Sequence, residues 1–472
     1  MPDATPEASV DAAAVAAVGA VTTPIFKLLA PEPAADAEPS AGPRVGELLG
    51  VPTPGFTVLT ARGFPLHLRP EAMNAVLEAP QINQLPVGDL LIRTDSVAQC
   101  PKSSEGCRGF WPHLQGHLSY GSFRNPRDKA SVHGGDAVCS VETKGGRRKV
   151  GPKELLELQK VMRLDLVAAP AEEVPLDTSG HRRMTRAVTR AGEWLKDILD
   201  AKAKDKDLSS FDWHVLAGIQ GCGDVNLRVK ACQAASAMPV SGFWIGGLGY
   251  TEDLHSRARV LEAVCSALPL RLPRFLPLNS GSPVEVLQAV LFGVDMLEVT
   301  FPTEAAAAGT ALIFSWEMPE AEAQDSAAEA EALAPLLSPA PAAPAADGAA
   351  AAPPSAGAPA APPAAMRSVR QLRMRAPECR EDFGPITPQS PVRQYSRAYL
   401  YHLHEVHELL GTMLLVHHNL YVYREFFAAI RRHTSQGSLR RFAAWFMRTQ
   451  TCEPEAVVKA VAAPSAKRPR KA

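Results

Sequence analysis

The stretch from 213 to 299 decides the fold of this chain, because short apolar runs alternate there with segments of helical periodicity. The apolar runs read WHVLAGI at 213–219, GFWI at 242–245, RFLPL at 274–278 and DMLEV at 295–299. Helices are predicted between them at 226–238, 255–267 and 283–292. This alternation is typical of a parallel sheet whose strands are joined by crossover helices.

The same alternation continues upstream, with longer segments between the predicted elements. Strands are predicted at 57–60 and 89–92, and helices at 71–79 and 152–162. The block of repeated strands and helices spans about 270 residues. This length fits a (β/α)8 barrel, which needs about 250 residues, better than it fits an open sheet of separate domains. The predicted fold class is therefore α/β, a (β/α)8 TIM barrel with its body at 44–316.

Composition separates this folded body from low-complexity segments. The chain has 472 residues, of which 46% are hydrophobic, but it also contains 42 prolines, which packed domains do not readily accommodate. Residues 1–43 and 317–365 are rich in Ala and Pro, and we expect a disordered leader and a disordered Ala/Pro-rich insert there. A helical C-terminal subdomain that completes the barrel is predicted at 366–450, and a basic tail at 451–472.

Charge and targeting signals exclude several classes of protein. The 49 Lys and Arg residues nearly balance the 50 Asp and Glu residues, which argues against a purely electrostatic nucleic-acid binder. No apolar run is long enough to predict a membrane span, and the N-terminus resembles neither a secretory signal nor a transit peptide. The dispersed cysteines fit reduced thiols, so we expect a cytoplasmic protein, with nuclear access left open by KRPRK at 467–471.

Candidate functional residues follow the predicted strands, since TIM barrels carry their sites at the C-terminal ends of the strands. Gln220-Gly221-Cys222, Gly246-Gly247 and Asn279-Ser280-Gly281 follow three strands, and Glu298 ends a fourth. Glycine lets a ligand approach the backbone closely, and the Gln220 amide can read the edge of a base. Cys100 and Cys107 suggest half of a metal site, but no second pair follows at ligand spacing, so ordinary loop cysteines are the simpler interpretation.

The C-terminal block has two predicted helices, at 396–416 and 421–432. Arg424, Arg431 and Arg432 lie there among aromatic residues. This pattern suits a surface that contacts phosphates or a partner protein, and it equally suits an amphipathic helix whose arginines are solvated.

Taken in order, these motifs resemble those of the tRNA-guanine transglycosylase family. The resemblance covers about 140–314 and 382–432, and its motifs include 217–221, 242–248, 293–298, 301–303 and 397–400. It implies a TIM barrel with a zinc-binding subdomain, and base exchange in tRNA. A strand-end aspartate would attack the ribose C1′ of the wobble guanosine and a second aspartate would serve as acid and base. Base-pocket residues would be Gln220, Gly221, Gly246 and Gly247.

The sequence departs from this catalytic pattern at several points. Glu298 stands at the position of the nucleophilic aspartate, and Asp95 keeps the Asp-Ser of the second motif without its Gly-Gly. Cys222 stands where the family has a pocket glycine. The segment EAAAA at 304–308 stands where the family has arginines. We therefore expect no catalytic residue, with Glu298 and Asp95 as degenerate positions.

The zinc site implied by the resemblance is also incomplete. Thr387, Gln389 and Val392 stand at the three cysteine positions, and His418 is the one matching ligand. A structural zinc ion needs about four nitrogen or sulfur ligands, so no zinc and no other cofactor is predicted.

Glu298 and the long insert before Asp382 resemble in particular the accessory, non-catalytic branch of the eukaryotic enzymes, whose members pair with a catalytic paralogue. This implies a non-catalytic subunit of the queuine tRNA-ribosyltransferase, which exchanges guanine for queuine at the wobble position of tRNAs with GUN anticodons. Its partners would be the catalytic subunit and tRNA, with Arg424, Arg431 and Arg432 as contacts. Peripheral association with the mitochondrial outer membrane is also implied by the resemblance.

Two alternatives stay open from the residues. The first is an active tRNA base-exchange enzyme with Glu298 as nucleophile and Asp95 as the acid/base group, because carboxylates are acceptable nucleophiles in glycosyl transfer. The second is a tRNA or protein adaptor that acts outside this pathway.

Overall fold

A computed structural model describes residues 24–30, 41–77, 80–126, 133–134, 139–176, 180–250, 252–278, 280–320, 322, 326–338 and 368–452. Eight parallel strands form a closed barrel, because the last of them pairs in parallel with the first. In chain order they are β1 (Gly55–Ala61), β2 (Ile82–Pro86), β3 (Leu118–Ser122), β4 (Leu166–Ala168), β5 (His214–Ile219), β6 (Gly242–Ile245), β7 (Arg274–Pro277) and β8 (Met296–Glu298). The predicted (β/α)8 fold is confirmed.

Alternation along each strand divides the core into two layers. Met296 belongs to a cluster inside the barrel, whereas its neighbour Leu297 packs in the larger cluster between the strands and the helices. Side chains of successive strand residues point to opposite faces, so Glu298 shares the inner face with Met296. The interior cluster also includes Ile82, Tyr120, Leu166, Leu216, Trp244 and Phe275.

Helices follow the strands and surround the barrel. The principal ones are Pro70–Val76 after β1, Pro152–Met162 after β3, His181–Lys204 after β4, Val225–Ser236 after β5, Leu254–Ala267 after β6, Pro283–Leu291 after β7 and Phe301–Ala307 after β8. Asp224, Asp253 and Ser282 accept backbone N–H groups as N-caps, which explains where three of these helices begin. The predicted strand at 89–92 is wrong, because the helix Val87–Leu90 occupies the start of that segment.

A small antiparallel sheet interrupts the connection from β3 to β4. Its strands are His133–Gly134, Cys139–Thr143 and Gly146–Val150. It packs on the helix Val87–Leu90, where a side chain at Gly88 would collide with the Glu142 carbonyl oxygen. Since β2 and β3 both end at this side, the small sheet lies at the C-terminal end of the barrel.

The predicted disorder of the leader 1–43 is wrong for one segment. Phe26–Ala30 pairs antiparallel with Val45–Leu48, which pairs with Val51–Thr53. Phe26 is buried in the same cluster as the barrel interior, so the sheet covers the N-terminal end of the barrel. The mostly apolar run IFKLL at 25–29 forms most of the strand Phe26–Ala30 although the residues around it are rich in Ala and Pro. Residues 1–23 and 31–40 lie outside the described residues.

The predicted disorder of the insert 317–365 is likewise wrong for Ser326–Leu337, which is a helix. Leu333 and Leu336 are buried, and the helix packs against the C-terminal helix Leu439–Thr449. Gln288 Nε2 donates to the Leu336 carbonyl at 2.8 Å. These leucines give the helix an apolar face to bury. The Ala/Pro run at 341–365 contains no leucine and lies outside the described residues.

The C-terminal block consists of the helices Arg397–Glu405, Leu409–Ser435 and Leu439–Thr449. Two short antiparallel pairs accompany them: Thr310–Leu312 with Gln371–Arg373, and Ser368–Val369 with Thr451–Cys452. The chain breaks between helices at 406–408, where His407 has a positive φ of 58°, and not at 417–420 as the two predicted segments imply. Among the described residues, no helix combines the length and the apolar character needed to cross a membrane.

The helix Leu409–Ser435 covers the seam at which β8 meets β1. Phe56 of β1 contacts the rings of Tyr423 and Phe427, with centroids 6.0 and 5.1 Å away. The β8 to β1 pairing itself lies within the body 44–316, so the C-terminal block adds a helix to the outer ring and no strand to the barrel.

Candidate functional site

Glu298 ends β8 inside the C-terminal mouth of the barrel, with 1% of its surface exposed. Tyr120 Oη of β3 donates to Glu298 Oε1 at 2.9 Å, and Gln84 Nε2 of β2 donates to Glu298 Oε2 at 2.6 Å. Gln84 is itself fixed, because its Oε1 accepts from Thr57 and its Nε2 also donates to Ser122. Both carboxyl oxygens are therefore held by the protein's own side chains.

Burial raises the pKa of Glu298 to about 7 from an ordinary value of 4.5, although the hydrogen bond from Tyr120 and the charge of Arg124 oppose the shift. Burial also raises the pKa of Tyr120, so this phenol stays neutral. Around neutral pH a large fraction of the molecules therefore carry a protonated Glu298.

Arg124 and Glu173 form a buried ion pair across the same mouth. Arg124 follows β3 and Glu173 follows β4; Nη2 and Nε of the guanidinium contact the two carboxylate oxygens at 2.6 and 3.2 Å. Arg124 also donates to the carbonyls of Pro277 and Leu248, and it lies 4.1 Å from the Tyr250 ring centroid. One side chain thus joins the loops after β3, β4, β6 and β7.

The predicted base-pocket residues meet beside this ion pair. The Gly247 N–H donates to Glu173 Oε2 at 2.9 Å, so a backbone donor of the pocket is already bound within the chain. A side chain at Gly246 would collide with the Gln220 amide. Gln220 is buried, and its amide nitrogen and oxygen have no hydrogen-bond partner among the described residues. The structure therefore brings Gln220, Gly246 and Gly247 together.

Gly221 and Cys222 complete this corner of the mouth. Gly221 has a φ of +148°, and a Cβ there would lie 2.8 Å from the Arg228 backbone nitrogen. Cys222 Sγ is 2.8 Å from the Pro175 carbonyl, so the side chain that replaces a pocket glycine packs against the loop after β4. Arg228 Nη1 donates to Ile219 O and Gly246 O, both at 2.8 Å, which joins the ends of β5 and β6.

Asp95 does not join this site. It is exposed on the short helix Thr94–Ala98, which packs against the helix Pro152–Met162 outside the barrel. Asn279, the remaining predicted loop residue, lies outside the described residues, and Ser280 Oγ is 3.5 Å from Glu285 Oε2.

Two of the three arginines predicted to contact RNA or a partner donate hydrogen bonds to the barrel. Arg424 Nη1 donates to the Val76 carbonyl at 2.8 Å and its guanidinium also pairs with Glu425. Arg431 Nη1 donates to the Pro54 carbonyl at 2.9 Å. Arg432 is exposed. The first two side chains thus fasten the helix Leu409–Ser435 to the segments that flank β1.

The residues at the family's zinc positions do not fit zinc. Thr387 and Gln389 offer no thiol and Val392 is buried. Both ring nitrogens of His418 are already in hydrogen bonds, with Ser390 Oγ at 2.9 Å and the Leu312 carbonyl at 2.8 Å. Burial lowers the pKa of His418 to about 4, which keeps the imidazole neutral. The described residues contain no group of three His, Cys, Asp or Glu side chains that could hold a metal.

Sequence reasoning found Glu298 and the glycines but missed Gln84, Tyr120, Arg124 and Glu173. All four lie on β2, β3 or the ends of β3 and β4, and these strands were not predicted at their observed positions. Charged residues just beyond a strand of a TIM barrel are the signal that points to such a site. With β3 and β4 assigned, Arg124 and Glu173 become candidates.

A closed parallel barrel with a buried carboxyl group at the end of β8 and glycine loops after β5 and β6 defines a TIM-barrel protein of the tRNA-guanine transglycosylase type. The sequence matches the family described as queuine tRNA-ribosyltransferase over residues 49–451, so the chain belongs to that family.

Individual relatives carry three kinds of name. The chain is 28% identical over 311 residues to a queuine tRNA-ribosyltransferase of Novosphingobium aromaticivorans, which covers 64% of this chain and 67% of that protein. It is 25% identical over 406 residues to a queuine tRNA-ribosyltransferase accessory subunit 2 of Xenopus laevis, which covers 83% of this chain and 91% of that protein. A queuine tRNA-ribosyltransferase-like protein of Plasmodium falciparum is 23% identical over 62% of this chain and 67% of its own length.

Proposed function

We propose that this protein is a non-catalytic subunit of a queuine tRNA-ribosyltransferase, which supports a catalytic subunit by heterodimerisation and by binding tRNA. The observation that carries the proposal is the state of Glu298. A nucleophile needs a free, ionised oxygen in line with the carbon that it attacks. Both oxygens of Glu298 are bound to Tyr120 and Gln84, and burial holds its pKa near 7.

The ion pair of Arg124 and Glu173 supports the same proposal. It lies at the base-pocket residues and uses the Gly247 N–H as a donor to Glu173. A base that entered this corner would have to displace a buried salt bridge, which costs several kcal/mol when one partner is left unpaired (about 3–5 kcal/mol). The Gly247 donor at the pocket is thus already bound within the chain.

The exposed apolar residues favour a protein partner at the C-terminal block. Of the seven large hydrophobic residues that are exposed in the described part of the chain, five lie there: Phe383, Tyr399, Val406, Leu409 and Leu410. Phe383 is 81% exposed. Apolar patches of this kind mark protein interfaces, and their aromatic residues often carry much of the binding energy. The catalytic paralogue is the partner that this surface would bind.

Reconstitution tests the proposal. The purified chain is run on size-exclusion chromatography with and without the catalytic paralogue, and each sample is assayed for guanine exchange on a tRNA with a GUN anticodon. We expect a 1:1 complex, exchange by the complex, and no exchange by this chain alone. Exchange by this chain alone, together with a covalent RNA adduct that Glu298→Gln abolishes, would instead support the active enzyme.

Charge introduced into the apolar patch tests the interface. Tyr399→Glu with Leu409→Glu should abolish co-elution with the paralogue, because two charges would be desolvated on association. Phe64→Glu is the matched control, since Phe64 is a comparably exposed hydrophobic residue outside the C-terminal block. Equal co-elution of both variants would remove this surface from the proposal.

A further inference from the structure

Basic residues collect on two neighbouring loops at the C-terminal end of the barrel. The strand Gly146–Val150 of the small sheet after β3 exposes Arg147, Arg148 and Lys149, and Lys144 is exposed in the turn before it. The helix His181–Lys204 after β4 begins with exposed Arg182 and Arg186. Because β3 and β4 are hydrogen-bonded neighbours, the two segments belong to adjacent connections at the same end of the barrel. We call Lys144, Arg147, Arg148, Lys149, Arg182 and Arg186 the basic rim.

Most of this positive charge is not neutralised within the described residues. Arg147 pairs with Glu142 at 3.4 Å, whereas Lys144, Arg148 and Lys149 have no ion pair there. Near the helix start, Glu172 is already shared by Arg183 and Arg190, each at 3.0 Å. Both carboxylate oxygens of Glu172 are therefore already paired, so Glu172 does not neutralise Arg182 or Arg186. A cluster of unpaired cations at one end of a protein is the electrostatic footprint of a polyanion site.

The small sheet holds its cations in a fixed place. Its inner residues Cys139, Val141 and Val150 are buried in the main core, and the close approach of Glu142 to Gly88 anchors it on the helix after β2. Lys149 and Arg147 lie opposite Ser140 and Glu142, on the face away from these buried residues, whereas Arg148 is exposed opposite Val141. Because the sheet is packed, contact with a ligand costs less conformational entropy than it would for cations on an unpacked loop.

We infer that the basic rim binds the sugar-phosphate backbone of tRNA beside the barrel mouth. The inference rests on the proposed function and names the surface that supplies its RNA contacts, in place of Arg424 and Arg431, which hold the barrel. Arg and Lys side chains that contact phosphates position RNA without reading its sequence. The rim lies at the same end of the barrel as Glu298, whereas the exposed apolar residues for a protein partner lie in the C-terminal block.

The helix His181–Lys204 provides a matched test in a single element. Arg182→Glu with Arg186→Glu reverses two charges at its rim end, and Lys204→Glu with Lys206→Glu reverses two exposed charges at and just beyond its other end. The two sites are about 33 Å apart at 1.5 Å per residue. Arg148→Glu with Lys149→Glu tests the strand. Binding of each full-length variant to a tRNA transcript with a GUN anticodon is measured as a function of salt concentration.

We expect each rim variant to bind tRNA at least about tenfold more weakly at ~0.1 M salt, with a shallower dependence of affinity on salt, because phosphate contacts and their released counterions are lost. The control variant should bind within about twofold of the unmodified chain. Circular dichroism and thermal melting confirm folding, and Arg148→Gln with Lys149→Gln replaces the reversal if that variant does not fold.

Several outcomes would overturn the inference. Rim variants that bind tRNA as well as the control would remove the surface and leave the proposed function intact. Unchanged RNA affinity together with aggregation would mean that the cations protect the exposed edge of the strand Gly146–Val150. Loss of binding to vesicles with phosphatidylserine but not to tRNA would assign the rim to a lipid surface. An unmodified chain that binds no tRNA, alone or with the paralogue, would refute the proposed function as well.

Discussion

The barrel mouth and the region around His418 hold their buried polar groups in opposite ways. At the mouth, the Glu298 carboxyl group is bound by Tyr120, and the Arg124 guanidinium is paired with Glu173. Around His418 no charged partner is used, and neutral hydrogen bonds join the imidazole to Ser390 and Leu312. A site can thus be closed by pairing its charges or by removing them, and the two solutions respond differently to mutation and pH.

The largest effect is expected from breaking the charge pair at the mouth. Arg124→Ala leaves Glu173 buried without its partner and should lower the free energy of unfolding by about 3–5 kcal/mol. Arg124→Met with Glu173→Gln should recover much of that loss, because no buried charge remains and the amide still accepts from Gly247. Denaturant unfolding measures both, with exposed Arg432→Ala as a control that changes stability by less than about 0.5 kcal/mol. A double variant no more stable than the single one would contradict this account.

Glu298 should make the mouth less stable as pH rises. Its folded pKa of about 7 lies above the ordinary 4.5, so between these values the folded state holds a proton that the unfolded state has released. Stability therefore falls with rising pH across this window, by roughly 3 kcal/mol at most. Glu298→Gln should be more stable than the unmodified chain at pH 8 and similar at pH 4. Exposed Glu193→Gln is the control, and a pH profile unchanged by Glu298→Gln would show that folding does not shift the pKa of Glu298.

His418 should act in the opposite direction. Its folded pKa of about 4 lies below the ordinary 6.5, so the unfolded state takes up the proton first as pH falls. The stabilisation is complete above pH 6.5 and is lost towards pH 4, by up to roughly 3 kcal/mol if burial is fully maintained. His418→Gln should remove this acid sensitivity, whereas exposed His402→Gln should retain it. Thermal melting between pH 4 and 7 separates them.

The smallest effect is expected from metal removal. Because Thr387, Gln389 and Val392 offer no thiolate and His418 is already hydrogen-bonded, a strong chelator should leave the melting temperature unchanged. Zinc added after chelation should not raise it either. A fall of several degrees on chelation would reveal a metal site built from other residues.

The sequence predicted best where apolar runs were long and bounded by glycine or proline. The strand Gly242–Ile245 and the helix Pro152–Met162 appear with the predicted bounds. β4 has only three residues, too few for periodicity to detect, and the 24-residue helix after it was also not predicted. At 89–92 a short apolar run was read as a strand although it continues a helix, an ambiguity that periodicity alone does not resolve.

The site was predictable only in part, for a related reason. Glu298 could be found because its strand and the family resemblance both mark it. Its partners Gln84 and Tyr120 are 214 and 178 residues away in sequence, so only the closed barrel brings them to the carboxyl group. Arg424 and Arg431 look like surface cations in the sequence, and their roles become visible when the helix that carries them is docked on β1.

That docking has a consequence for how the protein is made. Arg431 reaches the Pro54 carbonyl across 377 residues of chain, so at about 5–20 residues per second β1 waits roughly 20–75 seconds for this contact during translation. Until then the Phe56 side of the barrel seam has no helix over it. A ribosome that stops before 431 therefore releases a barrel that its last long helix has not sealed.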